Sequence, residues 1–298
     1  MAIFHQATDA SPSEMTKFLN KYEAVTYSKI RAIAEKVGAH VFAKVRLADA
    51  LPIHNSGISG EAFTYALKSH VDFLVTNSEH EPQFCVEFDG PAHNEPKQMR
   101  RDEIKNSLFE RFDMAYLRVN ARYLDDCYRG LDLLTYFVDV WFLSLAFHEA
   151  QSSGQVPQDE PFDPASIYSN ESDKSWPYRL SLNLEKKIQR FFHDGRIAQW
   201  TPSHWIGEDK QGKLRCIAWL FVTDERCAFI ETGMREHRFP AVDCCDVLAQ
   251  LAVYDLYKSL VLGLTGRKKL SPAIELAKRL NFYRTHYDAH SVATCGTR

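Results

Sequence analysis

Two short apolar runs carry acids where a buried strand ordinarily carries valine or leucine. They are Val71-Asp72-Phe73-Leu74-Val75 and Phe84-Cys85-Val86-Glu87-Phe88-Asp89, the second followed by Gly90-Pro91-Ala92-His93. Desolvating an unpaired carboxylate is costly, so a fold that buries these runs must give their acids partners. A divalent cation is one partner that serves several carboxylates at once. Side chains alternate along a strand, so Glu87 and Asp89 point to one face, away from Val86 and Phe88. If the 71–76 run pairs antiparallel beside the 84–88 run, Asp72 meets that acidic face. Carboxylates held this close retain protons more tightly unless positive charge offsets them.

The surrounding periodicities predict a helix over residues 14–37, stopped by Gly38, and a half-buried strand over 41–47. Residues 52–60 read as a loop, and strands over 71–76 and 84–88 flank a turn. A helix over 96–112 follows, with Ile104, Leu108, Phe109 and Phe112 as its apolar line. A strand over 114–119 and an apolar helix over 131–148 complete an order typical of α/β folds. Residues 151–176 lose periodicity and read as a linker. Beyond it, helices are expected over 182–192 and 242–260, and a hairpin over 214–222 and 226–231. Ser271-Pro272 has the character of a helix cap and first turn. The expected organisation is a domain at 1–150, the linker, and a smaller α+β domain at 177–298.

A net charge of −3 makes any polyanion-binding surface a local patch. Lys97, Arg100, Arg101, Lys105, Arg111, Arg118 and Arg122 would form it, with Tyr116 and Tyr123 available to stack on unpaired bases. The bland reading is a solvated helix face offset by Asp102, Glu103 and Glu110. The longest apolar run, 135–147, is broken by Asp139, and no leading signal segment is visible. Seven irregularly spaced cysteines then suggest a reduced, cytoplasmic protein with free thiols and no membrane partner. Cys216, Cys227, His237, Cys244 and Cys245 lack a CxxC pair and read as buried groups, not zinc ligands.

The segments containing Lys44-Val45-Arg46, His70-Val71-Asp72-Phe73, Glu87-Phe88-Asp89-Gly90-x-x-His93, Arg101-Asp102 with Lys105, and Leu117-Arg118-Val119 together resemble the PD-(D/E)XK nuclease superfamily. The branch is that near very-short-patch-repair endonucleases and their bacterial relatives. The resemblance covers about residues 15–120 and implies an αβββαβ restriction-endonuclease-like core with a mixed central sheet. It implies Mg²⁺ or Mn²⁺ held by Glu23, Asp72 and Glu87, with Asp89 assisting. Nucleic acid is the implied substrate, DNA ahead of RNA, and a role in restriction or antiviral defence follows from the fusion to an accessory domain. That domain would serve substrate selection, sensing, homodimerisation or binding of a partner protein.

One position departs from the pattern: Asp89 stands where the motif has lysine. The cationic role then falls to Lys105, with Lys97 and Arg101 behind it, and His93 is placed to hold or pass a proton. The rival expectations are a non-catalytic nucleic-acid-binding module of the same fold, or activity residing in the C-terminal domain. For single residues the alternatives are that Asp72 is an edge-strand residue that caps a turn or pairs with Lys44 or Arg46, and that Glu23 is an ordinary solvated helix residue.

Overall fold

The computed structural model describes residues 17–89, 96–128, 130–164 and 179–297, with the side chains of 96–99 outside it. The predicted His93 and the Lys97 side chain therefore lie outside the described residues.

The first half begins with α1 (Lys21–Ala34) and β1 (His40–Arg46), then α2 (Leu47–Ala50) and α3 (Gly60–Lys68). Strands β2 (His70–Thr76) and β3 (Pro82–Phe88) follow, then α4 (Pro96–Arg111), β4 (Ala115–Val119) and α5 (Leu133–Ser152). Helix α1 starts later than its periodicity suggests. Asn20 caps it, accepting from the Tyr22 and Glu23 amides, while Glu23 Oε2 accepts from the Asn20 amide at 3.0 Å. Helix α3 follows the expected loop, in a stretch for which no element was expected, and is held by Ala62, Phe63 and Ala66 packing on the sheet.

The strands form a mixed sheet in the order β1-β2-β3-β4. The first two pairings are antiparallel and the last, across α4, is parallel. One face is covered by α4, through Ile104, Leu108 and Phe109 against Leu74 and Cys85. The other, bearing Phe73, Val75, Phe84, Val86, Leu117 and Val119, is covered by α1 and α5.

The second half contains α6 (Leu182–His193), β5 (Ser203–Glu208), β6 (Lys213–Thr223), β7 (Arg226–Arg235) and α7 (Cys244–Leu264). It ends with β8 (Ser271–Pro272), α8 (Ala273–His286) and β9 (Asp288–Ala293). The sheet is antiparallel, in the order β8-β7-β6-β5-β9. The expected hairpin is present as β6–β7. Ser271-Pro272 is extended and pairs with β7, and Pro272 itself is the cap position of α8. Strands β5 and β9 were not legible, because β5 carries a glycine and β9 mixes polar and small residues without alternation.

A single apolar cluster joins the halves. It runs from the first sheet through Phe137 and Val140 of α5 to Phe239, then to Leu248 and Leu256 of α7 and Cys216, Ala218 and Leu220 of β6. Phe239 is the pivot, with ring centroids 5.2 Å from Phe84 and 4.8 Å from Trp141. Helices α5 and α7 are long and apolar enough, by length and composition, to cross a membrane. Here both contribute to this common core.

The outer edge of β4 is covered by the chain that leaves β7. Tyr116 N donates to Arg238 O at 2.9 Å, and Arg118 N points at His237 Nδ1 at 3.5 Å. This satisfies amides that an open edge would leave bare. The buried His237 ring meets Tyr123 Oη at 2.7 Å through Nε2. Burial, aided by the charges of Arg118 and Arg235, holds His237 down at about 4. Tyr123 is thereby core, not a surface for stacking bases, and Tyr116 stacks on Phe109 at 4.9 Å.

Two outcomes follow. Phe239→Ala should cost about 3–5 kcal/mol and leave a single urea transition by both tryptophan fluorescence and far-UV circular dichroism. Two separated transitions would show that the halves fold independently. His237 binds its proton more weakly folded than unfolded, so its contribution is complete above the unfolded value near 6.5 and is lost as pH falls toward 4. Stability measured by urea at pH 7 and pH 4.5 should therefore drop less in His237→Gln than in wild type.

Candidate active site

The sheet register brings four charged residues into one row. Ala43 faces Phe73 across β1 and β2, and Val45 faces Val71, which sets Lys44 opposite Asp72. Phe73 faces Val86 across β2 and β3, so the next step sets Asp72 opposite Glu87. Glu87 in turn faces Arg118. By alternation, Asp72, Glu87 and Arg118 share the α4 side of the sheet with Leu74, Cys85 and Tyr116.

Asp72 is engaged on both oxygens: Oδ1 takes Lys44 Nζ at 2.6 Å and Oδ2 takes the Phe88 amide at 2.8 Å. Lys44 also donates to Glu23 Oε1 at 2.8 Å. Its backbone sits in the left-handed region at φ 55°, inside a strand. That conformation costs a non-glycine residue about 1–2 kcal/mol, and such outliers concentrate at functional positions. Burial pulls the Lys44 ammonium toward losing its proton, but the bonds to Asp72 and Glu23 raise it overall. It stays a cation.

Glu87 is paired through Oε2 with Lys105 Nζ at 2.9 Å, and Lys105 also donates to His70 O at 3.0 Å. The other oxygen, Oε1, is buried with no hydrogen-bond partner among the described residues. Burial pushes the Glu87 carboxyl up, Lys105 opposes this, and Asp72 adds to it. Asp89 lies one residue beyond β3, where its amide donates to Val119 O at 2.7 Å and extends the parallel pairing. Its carboxylate lies 3.5 Å from both Arg118 and Arg235. At the rim, half-exposed Tyr22 stacks on Phe88 with centroids 5.3 Å apart.

The structure thus brings together Glu23, Asp72, Glu87, Asp89 and Lys105. It gives Glu23 two tasks other than metal binding, since one oxygen closes the α1 capping box and the other holds Lys44. Among the basic residues, Arg118 is buried, Arg100 is ion-paired with Glu61 and Glu103, and Arg101 is exposed on α4. Sequence reasoning treated Lys44 only as a salt-bridge partner for Asp72 and missed Arg235. The signal for Lys44 was the strand alternation that makes it neighbour to Asp72. Arg235 had none, being contributed by the other half.

Among the described residues no group of three or more His, Cys, Asp or Glu is spaced to hold a metal ion. Two opposed carboxylates, one with a free buried oxygen, do suit Mg²⁺ or Mn²⁺, which needs only one or two protein carboxylates beside water and phosphate oxygens. A separate cavity of about 750 Å³, lined by Tyr136, His148, Arg179, His204, Asp243 and Asp246 among others, includes none of these residues.

Residues 15–129 match the model of a family described as a protein of unknown function (DUF2726). That span holds the whole four-stranded sheet and every member of the charged row. No curated protein and no solved structure matches the chain.

Lys105 restrains the proton affinity of Glu87. Lys105→Met should therefore raise the Glu87 pKa further, followed by carboxyl-carbon NMR across a pH titration. An unmoved titration would show that the pair is absent in solution.

Proposed function

We propose that this chain is a Mg²⁺- or Mn²⁺-dependent nuclease of the restriction-endonuclease-like type, acting on DNA in preference to RNA. The observation that supports it best is the opposition of Asp72 and Glu87 across β2 and β3, with Glu87 Oε1 buried and unpartnered among the described residues and a lysine on each carboxylate. The element order α1-β1-β2-β3-α4-β4, once the short helices α2 and α3 are set aside, and the mixed pairing support the αβββαβ core. The preference for DNA rests on the sequence resemblance.

In this reading Asp72 and Glu87 hold the cation. When bound, it lowers the pKa of water and offsets charge on the phosphate. Lys44 supplies the positive charge that the motif ordinarily carries at position 89. Remaining protonated, it orients or stabilises the phosphate and does not accept a proton. Glu23 keeps Lys44 aimed at Asp72. Lys105, buried and shared between Glu87 and His70 O, fixes the rotamer of Glu87. Glu23, Asp72 and Glu87 share Lys44 and Lys105, so this part of the site has one carboxylate in excess before a cation arrives. Restriction or antiviral defence is the role in which a nuclease with a fused accessory half fits.

A second reading has its own support: both oxygens of Asp72 are already engaged. A catalytically silent nucleic-acid-binding module would have that property, because Lys44 would neutralise Asp72 permanently.

The test is cleavage of plasmid, linear duplex, single-stranded DNA and RNA in Mg²⁺, Mn²⁺ and EDTA. Wild type should cut in either metal and not in EDTA, and Asp72→Ala and Glu87→Ala should each abolish cutting while keeping their circular dichroism. Glu23→Gln, acting through Lys44, should lose roughly 10- to 100-fold. Metal-independent binding without cutting by wild type would favour the silent module, and full turnover in either Ala variant would remove that residue from the site.

A further inference from the structure

Asp89, the residue that breaks the motif, stands between two arginines of different character. Its Oδ1 lies 3.5 Å from Arg118 Nη1 and its Oδ2 lies 3.5 Å from Arg235 Nη1. Arg118 is only 8% exposed and is taken up by the protein, since it also approaches Asp102 at 3.5 Å and donates to Asn106 Oδ1 at 2.9 Å. Arg235 is 59% exposed and comes from the other half of the chain. It is the last residue of β7, and the residues directly after it cover the edge of β4 through Arg238 O and His237. The backbone that presents Arg235 is therefore anchored to the sheet that carries Asp72 and Glu87.

An ion pair this exposed contributes little to stability, and Phe239 and His237 already join the halves through buried contacts. Locking the halves together is thus a poor account of Arg235. A guanidinium has five donors in a fork that matches a phosphate, and its contact with Asp89 is made through one of them.

We propose that Arg235 is a phosphate-binding residue that the C-terminal half contributes to the site, and that Asp89 is its positioning residue. The ligand is a backbone phosphate of the nucleic acid, beside the one that Asp72 and Glu87 address. This rests on the nuclease reading. Arg235 thereby adds a second positive charge beside the one that Lys44 supplies, and the site is complete only when both halves are present.

The experiment is fluorescence anisotropy of a labelled DNA duplex with the full-length Asp72→Asn protein, which is meant to bind without cutting, across a series of salt concentrations. Adding Arg235→Ala should raise Kd about tenfold and reduce the slope of log Kd against log salt by about 0.9, one phosphate contact, with Tm unchanged. Arg235→Lys should restore the slope. Asp89→Asn should weaken binding with the slope retained, because the charge remains and only its aim is lost. An unchanged slope in Arg235→Ala, with or without a fall in Tm, overturns this assignment alone. No binding by the Asp72→Asn protein at any salt concentration overturns the nucleic-acid reading and this inference with it.

Discussion

Charges aligned across one end of a sheet need a reason to stay there, and mutual neutralisation supplies it. Lys44, Asp72, Glu87 and Arg118 occupy successive strands, and each carboxylate carries a lysine within hydrogen-bond distance. Carboxylates drawn from water at this depth would otherwise take up protons or destabilise the strands around them. Well-packed apolar residues of similar volume often serve stability as well or better than buried ion pairs. A row of them at the end of an apolar face, with a left-handed lysine at its margin, is what the proposed site would account for.

The row depends on the packing behind it. The face of the first sheet that carries no charge is bound into a core extending to the second sheet, through α5, Phe239 and α7. The chain leaving β7 then closes the edge of β4. One short segment, 235–239, thus delivers an arginine to Asp89, a histidine to the edge and to Tyr123, and a phenylalanine to the core. The halves are joined where the candidate chemistry lies, and this is the arrangement expected if the second half conditions the first.

Asp89, set against the motif that the chain resembles, is read differently in one and three dimensions. In the sequence it is a lost cation. In the fold, Lys44 and Lys105 sit on the carboxylates, and Asp89 draws Arg118 and Arg235 toward them. The balance of charge is met by residues 45 positions before and 146 positions after it.

What the sequence by itself determined is local. Hydrophobic alternation settled β2 and β3 and the shared face of Glu87 and Asp89, because a period of two in the side chains follows from the geometry of the extended chain. The apolar line of α4 likewise lies within a few residues of itself, whereas the periodicity over 14–37 hid the cap at Asn20 that starts α1. Register, edge coverage, the choice of Lys44 over Arg46 for Asp72 and the approach of Arg235 to Asp89 were decided only by tertiary structure. Lys44, which pairs with Asp72, takes a left-handed conformation within a strand, for which lysine has no intrinsic preference. Strands β5 and β9 and the approach of Arg235 exist only because distant segments bury each other, and no short-range pattern records that.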